Sequence, residues 1–175
     1  MKRFGMSIVL AAAMLATGTP LWAGGESTAQ QAFEIVIPPP PAGQGQLVFF
    51  RRGGFVGSAA ACSVKENGQK VSSLGAGHFF VMVAPPGKHQ FSVKTEVRDS
   101  ITLEVEPDET QFVECKIKMG VVVGHPDIRP AQESDFRSAG RLKLPEAEDM
   151  GPAPGALRPA EFLAAQQAAR AGGTK

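Results

Sequence analysis

The stretch Cys62-Ser63-Val64-Lys65-Glu66-Asn67-Gly68-Gln69-Lys70-Val71-Ser72-Ser73 decides how the chain is read. Ala60, Cys62 and Val64 recur at every second residue, the period of a strand with one buried face. Asn67-Gly68 then supplies the residue pair of a type I′ hairpin, in which φ is positive at both turn positions. A two-residue turn there pairs Val64 with Val71 and Cys62 with Ser73.

The same period runs outward from this hairpin. Upstream, Leu47-Val48-Phe49-Phe50-Arg51 is an apolar strand, followed by a Gly53–Ser58 loop. Downstream, His78 to Ala84 is apolar on both faces, with Phe80 and Met82 opposed to Phe79, Val81 and Val83. That pattern predicts a central strand covered on both sides. Pro85-Pro86-Gly87-Lys88 reads as a turn that lays Ala84 against His89. Phe91 and Val93, then Ile101, Leu103 and Val105, then Val113, Cys115 and Ile117 alternate with polar neighbours. About seven short strands separated by Gly/Pro turns predict an all-β fold, a small antiparallel β-sandwich. A partly open barrel is the structural alternative. Gly120–Gly124 is a further strand or an edge segment, and His125–Lys143 shows no clear period.

The two ends read differently. Lys2 and Arg3, the apolar run Ile8–Ala16 and the small residue Ala23 have the make-up of a secretory signal peptide over residues 1–23. The run is far short of the ~20 apolar residues that span a bilayer. No cysteine follows it to carry an acyl chain. Residues 24–45 form a Pro-rich lead-in, with a short strand at Phe33–Ile37 and a stiff spacer at Pro38–Pro41. Residues 46–137 are the sandwich domain. Residues 138–175 are expected to be a disordered tail, with a short fraying helix at Pro159–Ala171 whose apolar contacts come only from Phe162 and Leu163. The expected product is periplasmic or secreted, soluble, and without a membrane anchor after cleavage.

Composition narrows the function classes. The formal net charge is +1 for the whole chain and about −1 once Lys2 and Arg3 leave with the signal. That balance offers no overall basic field for nucleic acid. Tyr is absent and the single Trp22 lies in the signal. No phosphate-cradling loop or nucleophile elbow is present. His78, His89 and His125 are too scattered to share a metal, so no cofactor or metal is expected.

Two cysteines in an exported chain invite a disulfide. Cys62 shares a face with Ala60 and Val64, and Cys115 with Val113 and Ile117, so both sulfurs point into the core. Two buried free thiols are the alternative. Arg51-Arg52, followed by the Gly-rich loop with Phe55, is the one candidate binding feature, for an anionic ligand or a partner protein. Two solvated arginines at a strand end are the plainer account.

Pro39-Pro40-Pro41-Ala42-Gly43, Leu47-Val48-Phe49-Phe50-Arg51, Asn67-Gly68, Gly77-His78-Phe79-Phe80 and Pro86-Gly87-Lys88-His89 occur in this order. Together they resemble a bacterial exported family known as domain of unknown function 2846, over roughly residues 42–137. The resemblance implies a compact β-domain behind a signal or lipoprotein leader, and no enzyme activity. The chain departs from the family in lacking a lipidated cysteine and any Tyr. The expectation is therefore a non-catalytic cell-envelope module that binds a protein or another envelope component. The alternative is a small-ligand binder or enzyme with its site near Gly53–Ser58.

Overall fold

The computed structural model describes residues 34–54, 59–94, 98–119 and 124–172. Residues 1–33, 55–58, 95–97, 120–123 and 173–175, among them the expected signal segment, lie outside the described residues. The chain forms strands β1 (Gly45–Phe50), β2 (Cys62–Glu66), β3 (Gln69–Leu74), β4 (Phe79–Ala84), β5 (Gly87–Lys94), β6 (Arg98–Val105), β7 (Thr110–Met119) and β8 (Gly124–Ala131). Helices α1 (Glu133–Arg137) and α2 (Pro159–Gly172) follow. The first sheet has the order β4-β1-β7-β8 and the second β3-β2-β5-β6. The protein is a β-sandwich.

Pairing is antiparallel throughout except for β1 with β7, which run parallel from Gln46↔Thr110 to Phe50↔Glu114. A parallel pair needs a long crossover, and here every strand from β2 to β6 lies in the connection. The Asn67-Gly68 turn has φ of 47° and 87°, as a type I′ hairpin requires. The register beyond it differs from the simple hairpin. A bulge between Val64 and Lys65 places Val64 opposite Ser72 and Cys62 opposite Leu74. Both Val71 and Ser72 are buried as a result.

The strand around Val81 is covered on both faces, as its pattern predicts, but it is not central. β4 stands at the end of the first sheet, and β1 is its inner neighbour. Nor do Pro85–Lys88 make a hairpin. β4 pairs with β1 while β5 pairs with β2 and β6, so the two prolines carry the chain from one sheet to the other. The last strand, β8, is the one that period alone does not disclose. It carries Pro126 and Pro130, which a sheet tolerates on an edge.

Two apolar clusters result. The first lies between the sheets and includes Leu47, Phe49, Val64, Phe80, Phe91 and Val93. Phe49 stacks on Phe80 at 4.9 Å and meets Phe91 edge-on at 5.0 Å. The second lies on the other side of the first sheet, where Val48, Phe50, Phe79, Val81 and Phe112 meet Phe136 of α1 and Phe162 of α2. Ile35 and Ile37 join this second cluster from an irregular segment, so the short strand expected there is not formed.

The expectation of a disordered tail does not hold for residues 138–172. The segment after α1 runs along the outer edges of β3 and β4. Gly151 and Ala153 donate to the carbonyls of Val71 and Lys70, at 2.8 and 3.1 Å. Val83 donates to Gly155, and Leu157 to Val81, both at 2.9 Å. Gly151 and Gly155 serve close backbone approach rather than flexibility. A Cβ on either would run into the carbonyl of Lys70 or Val83 respectively. Helix α2 is docked through Phe162, which meets Phe79 edge-on at 5.4 Å. Gln166 donates to the Val36 carbonyl at 3.1 Å, tying α2 to the lead-in.

Candidate functional site

Cys62 of β2 and Cys115 of β7 are joined by a disulfide across the sandwich, with Cα atoms 6.6 Å apart. It links the two sheets directly, and both half-cystines sit in the inter-sheet core. The alternating pattern that put both sulfurs on apolar faces led to the right pair.

The arginine pair splits into two roles. Arg51 is buried, and its guanidinium donates to the carbonyls of Ala60 and Leu74. Burial lowers its pKa from the ordinary guanidinium value. Arg51 thus fastens the chain entering β2 to the end of β3. Arg52 points the other way, to the covered side of the first sheet. Its Nε lies 2.9 Å from Glu114 Oε1 and its Nη2 3.1 Å from Asp135 Oδ1. Phe55 falls outside the described residues.

Glu114 is the hub that sequence reading missed. It is only 1% exposed, and both its oxygens are occupied. Arg129 Nη2 reaches Oε2 at 2.8 Å and Lys116 Nζ at 3.3 Å, while Arg52 holds Oε1. Burial pushes the Glu114 carboxyl up, but Arg129, Arg52 and Lys116 together bring it below its ordinary value. The Arg129 guanidinium is correspondingly raised by its hydrogen bond to Glu114. Glu114 joins β7 to β8 and the Arg52 segment, and Arg52 carries the cluster on to Asp135 of α1. Its sequence signal is slight, since Glu114 looks like any polar residue on an alternating strand.

His78 and His89 make different contacts. His78 Nδ1 lies 3.2 Å from the Ala76 carbonyl. His89 Nδ1 lies 2.5 Å from Glu66 Oε1, and its Nε2 donates to the Pro85 carbonyl at 2.9 Å. No group of three His, Cys, Asp or Glu residues among the described residues is arranged to hold a metal.

The outer face of the second sheet holds a second site that composition concealed. Alternation directs Val64, Phe91, Val93 and Leu103 inward, so Lys65, Gln90, Ser92, Arg98 and Ser100 face out. Register sets Lys65 opposite Ser92, and Ser92 opposite Ser100, in one row across β2, β5 and β6. Lys94 stands opposite Arg98, and Lys70 opposite Lys65. A shallow groove of about 200 Å³ is lined by Lys65, Asn67, Gly68, Gln90, Ser92, Arg98 and Ser100. It contains two cations, two hydroxyls and two amides, a donor set suited to oxyanions. The near-neutral net charge hid this local excess. The excess arises because β5 lies between β2 and β6 rather than beside β4.

The exposed edges of both sheets are blunted. Ile128 of β8 donates outward to Asp99 Oδ2 at 2.9 Å. Pro126 and Pro130 share that outward orientation by register and have no N–H to offer. On β6, Asp99 Oδ1 accepts from Ser100 N–H at 2.9 Å, and Gln111 donates to the Glu104 carbonyl at 2.7 Å.

Residues 41–126 match the model of a family described as "Protein of unknown function (DUF2846)". That segment belongs to the DUF2846 family. It takes in the Asn67-Gly68 hairpin, the disulfide, Glu114 and the whole of the groove on the second sheet. Most of β8, both helices and the strap along β3 and β4 lie beyond the matched residues. No curated protein and no solved structure matches the chain.

Proposed function

We propose that this DUF2846 protein is a non-catalytic module of the bacterial cell envelope, exported by residues 1–23, that binds an envelope component. The observation that carries the reading is the outer face of its second sheet. The first sheet is covered on both faces by the second sheet and by the helices and strap. The second sheet has one apolar face, and its other face presents a polar, locally cationic surface built on rigid strands. A protein partner adding a strand to an edge is disfavoured by Pro126, Pro130 and the Asp99 caps. The disulfide fits an oxidising compartment. Among the described residues, no helix is long and apolar enough to cross a membrane.

Two measurements test this. Fractionation of cells making the full chain should place the processed protein in the periplasm with Cys62 and Cys115 oxidised. The purified protein should then co-sediment with an envelope fraction at low ionic strength and be released by salt, because exposed charges are screened within ~10 Å at 0.1 M. A cytoplasmic, unprocessed product, or a protein that never sediments with the envelope, defeats the reading. So does a metabolite that is turned over at the Gly53–Ser58 loop.

A further inference from the structure

We infer that the groove across β2, β5 and β6 is a binding site for a phosphorylated sugar, with the phosphate at the Lys65–Arg98 end and the sugar hydroxyls over Asn67 and Gln90. The inference deepens the proposed function and rests on the outer face of the second sheet being its binding surface.

The groove is polar along its length and asymmetric. One end is cationic. Lys65 on β2 and Arg98 on β6 are two strands apart and one row offset along the sheet, ~12 Å at the usual strand spacing and rise. Both side chains are long enough to lean over one anion seated above Ser92, whose row also carries Ser100. Lys94 and Lys70, directly opposite Arg98 and Lys65, add to the positive field at that end. Among the described residues, no carboxylate lines the groove. A phosphomonoester carries close to two negative charges at neutral pH and offers several strong acceptors. It matches two cations and two hydroxyl donors better than a single carboxylate does.

The other end carries no charge. Asn67 and Gln90 each offer an amide donor and an acceptor. They sit at the hairpin, where the Asn67 N–H donates to the Gln90 carbonyl at 3.2 Å and holds the turn against β5. Paired amides suit hydroxyl groups. The lining contains no aromatic side chain or large aliphatic one, so an acyl chain or a base would find nothing to pack on. The volume of about 200 Å³ is below the ~300–1,000 Å³ of sites for larger organic ligands. A monosaccharide phosphate is of the right order, either free or displayed as the head of a lipid.

The test uses the full chain and four probes: glucose 1-phosphate, inorganic phosphate, glucose, and phosphatidylcholine vesicles carrying phosphatidylinositol 4-phosphate. Calorimetry should show glucose 1-phosphate binding more tightly than inorganic phosphate, with no binding of glucose. Amide resonances of Asn67, Gln90, Ser92 and Ser100 should shift on titration. Lys65→Gln and Arg98→Gln should each weaken binding about tenfold. Lys88→Gln, on the same face but opposite Glu104 and outside the groove, should change it by less than about twofold. Vesicle binding that glucose 1-phosphate displaces identifies the lipid-borne form as a source. Binding of the soluble sugar phosphate alone identifies the free form. The inference fails if glucose 1-phosphate does not bind, if it binds no better than inorganic phosphate, or if its binding survives both substitutions. Retention of Lys65→Gln and Arg98→Gln by the envelope fraction at wild-type level would remove the groove and leave the broader function standing.

Discussion

The two sheets of this sandwich share one core and differ in what lies behind them. Behind the first are Phe136, Phe162, Leu142, Leu144 and Leu157, so its strands β1 and β4 are apolar on both faces. Among the described residues, nothing comparable backs the second sheet, and its strands alternate. The burial of β1, complete at all six positions, contrasts with β5, where the alternating positions Lys88, Gln90 and Lys94 are exposed. The difference shows what a hydrophobic pattern reports. It counts covered faces and is silent on whether a strand lies in the middle of a sheet or at its end. β4 has the composition of an inner strand because both its faces are packed, yet it is terminal. Its free edge is taken up by Lys143, Gly155 and Leu157.

Removing the cover should therefore have the largest effect. A chain ending at Gly140 keeps both sheets and α1 but loses Leu142, Leu144, Met150, Ala153, Leu157 and Phe162. A fully buried large apolar side chain contributes ~1.5–3 kcal/mol, which applies in full to Met150 and Phe162 and by about half to the half-buried leucines. The expected loss is on the order of 5–10 kcal/mol, comparable to the whole stability of a domain this size. The truncated protein should show no cooperative urea transition and should self-associate through the bared edges of β3 and β4. A monomer with an unchanged midpoint would show that the cover is not part of the folding unit, and the contrast between the sheets would lose its basis.

The next effect concerns what the sheets have in common. Replacing Cys62 and Cys115 together by alanine removes the covalent link between them. The sequence separation is 53 residues, for which the chain-entropy account gives about 4 kcal/mol. The double variant should fold under native conditions and unfold at a lower urea concentration, with spectra like those of the wild type. Reductant should lower the wild-type midpoint and leave the variant untouched. A variant as stable as the oxidised wild type would mean that packing alone fixes the two sheets.

How far the sequence discloses this arrangement depends on the kind of information needed. Asn67-Gly68, the alternation in β5 to β7, and the phase of Cys62 and Cys115 are local signals, and all three lead to the observed turn, strands and bridge. The register beyond the turn is not local. The bulge opposite Val64 brings Ser72 against Met150, where its hydroxyl lies 3.3 Å from the sulfur, so the tail participates in the choice. The tail itself is illegible by composition, because Gly and Pro serve both disorder and close backbone contact. Gly151 and Gly155 belong to the second case. Of the candidate site residues, Arg52 reads as a ligand-binding or solvated cation, and nothing local points to its partners Glu114 and Asp135. Lys65 and Arg98 carry no local signal, because nothing near them in sequence indicates that β5 stands between their strands.

The smallest of the three effects lies at the rim of the covered face, where the first sheet's apolar backing gives way to Glu114 and its cations. Glu114→Gln removes the charge and keeps the shape. At neutral pH it should cost ~1–3 kcal/mol, the range for a buried group losing charged hydrogen bonds. The pH dependence separates this from a packing defect. The folded carboxyl lies below its ordinary value, so the unfolded chain takes up a proton first as pH falls. The contribution is then fully present above the unfolded carboxylate value and is lost as pH falls through the folded one. The stability gap between wild type and Glu114→Gln should accordingly be constant at neutral pH and close under acid, where the wild type carries a neutral acid in place of the carboxylate. Urea midpoints for both proteins across the acid range measure it. A gap that stays the same down to about pH 2 would assign the loss to shape rather than charge. Glu114 would then be an ordinary member of the covered face instead of the ionic joint between β7, β8, α1 and Arg52.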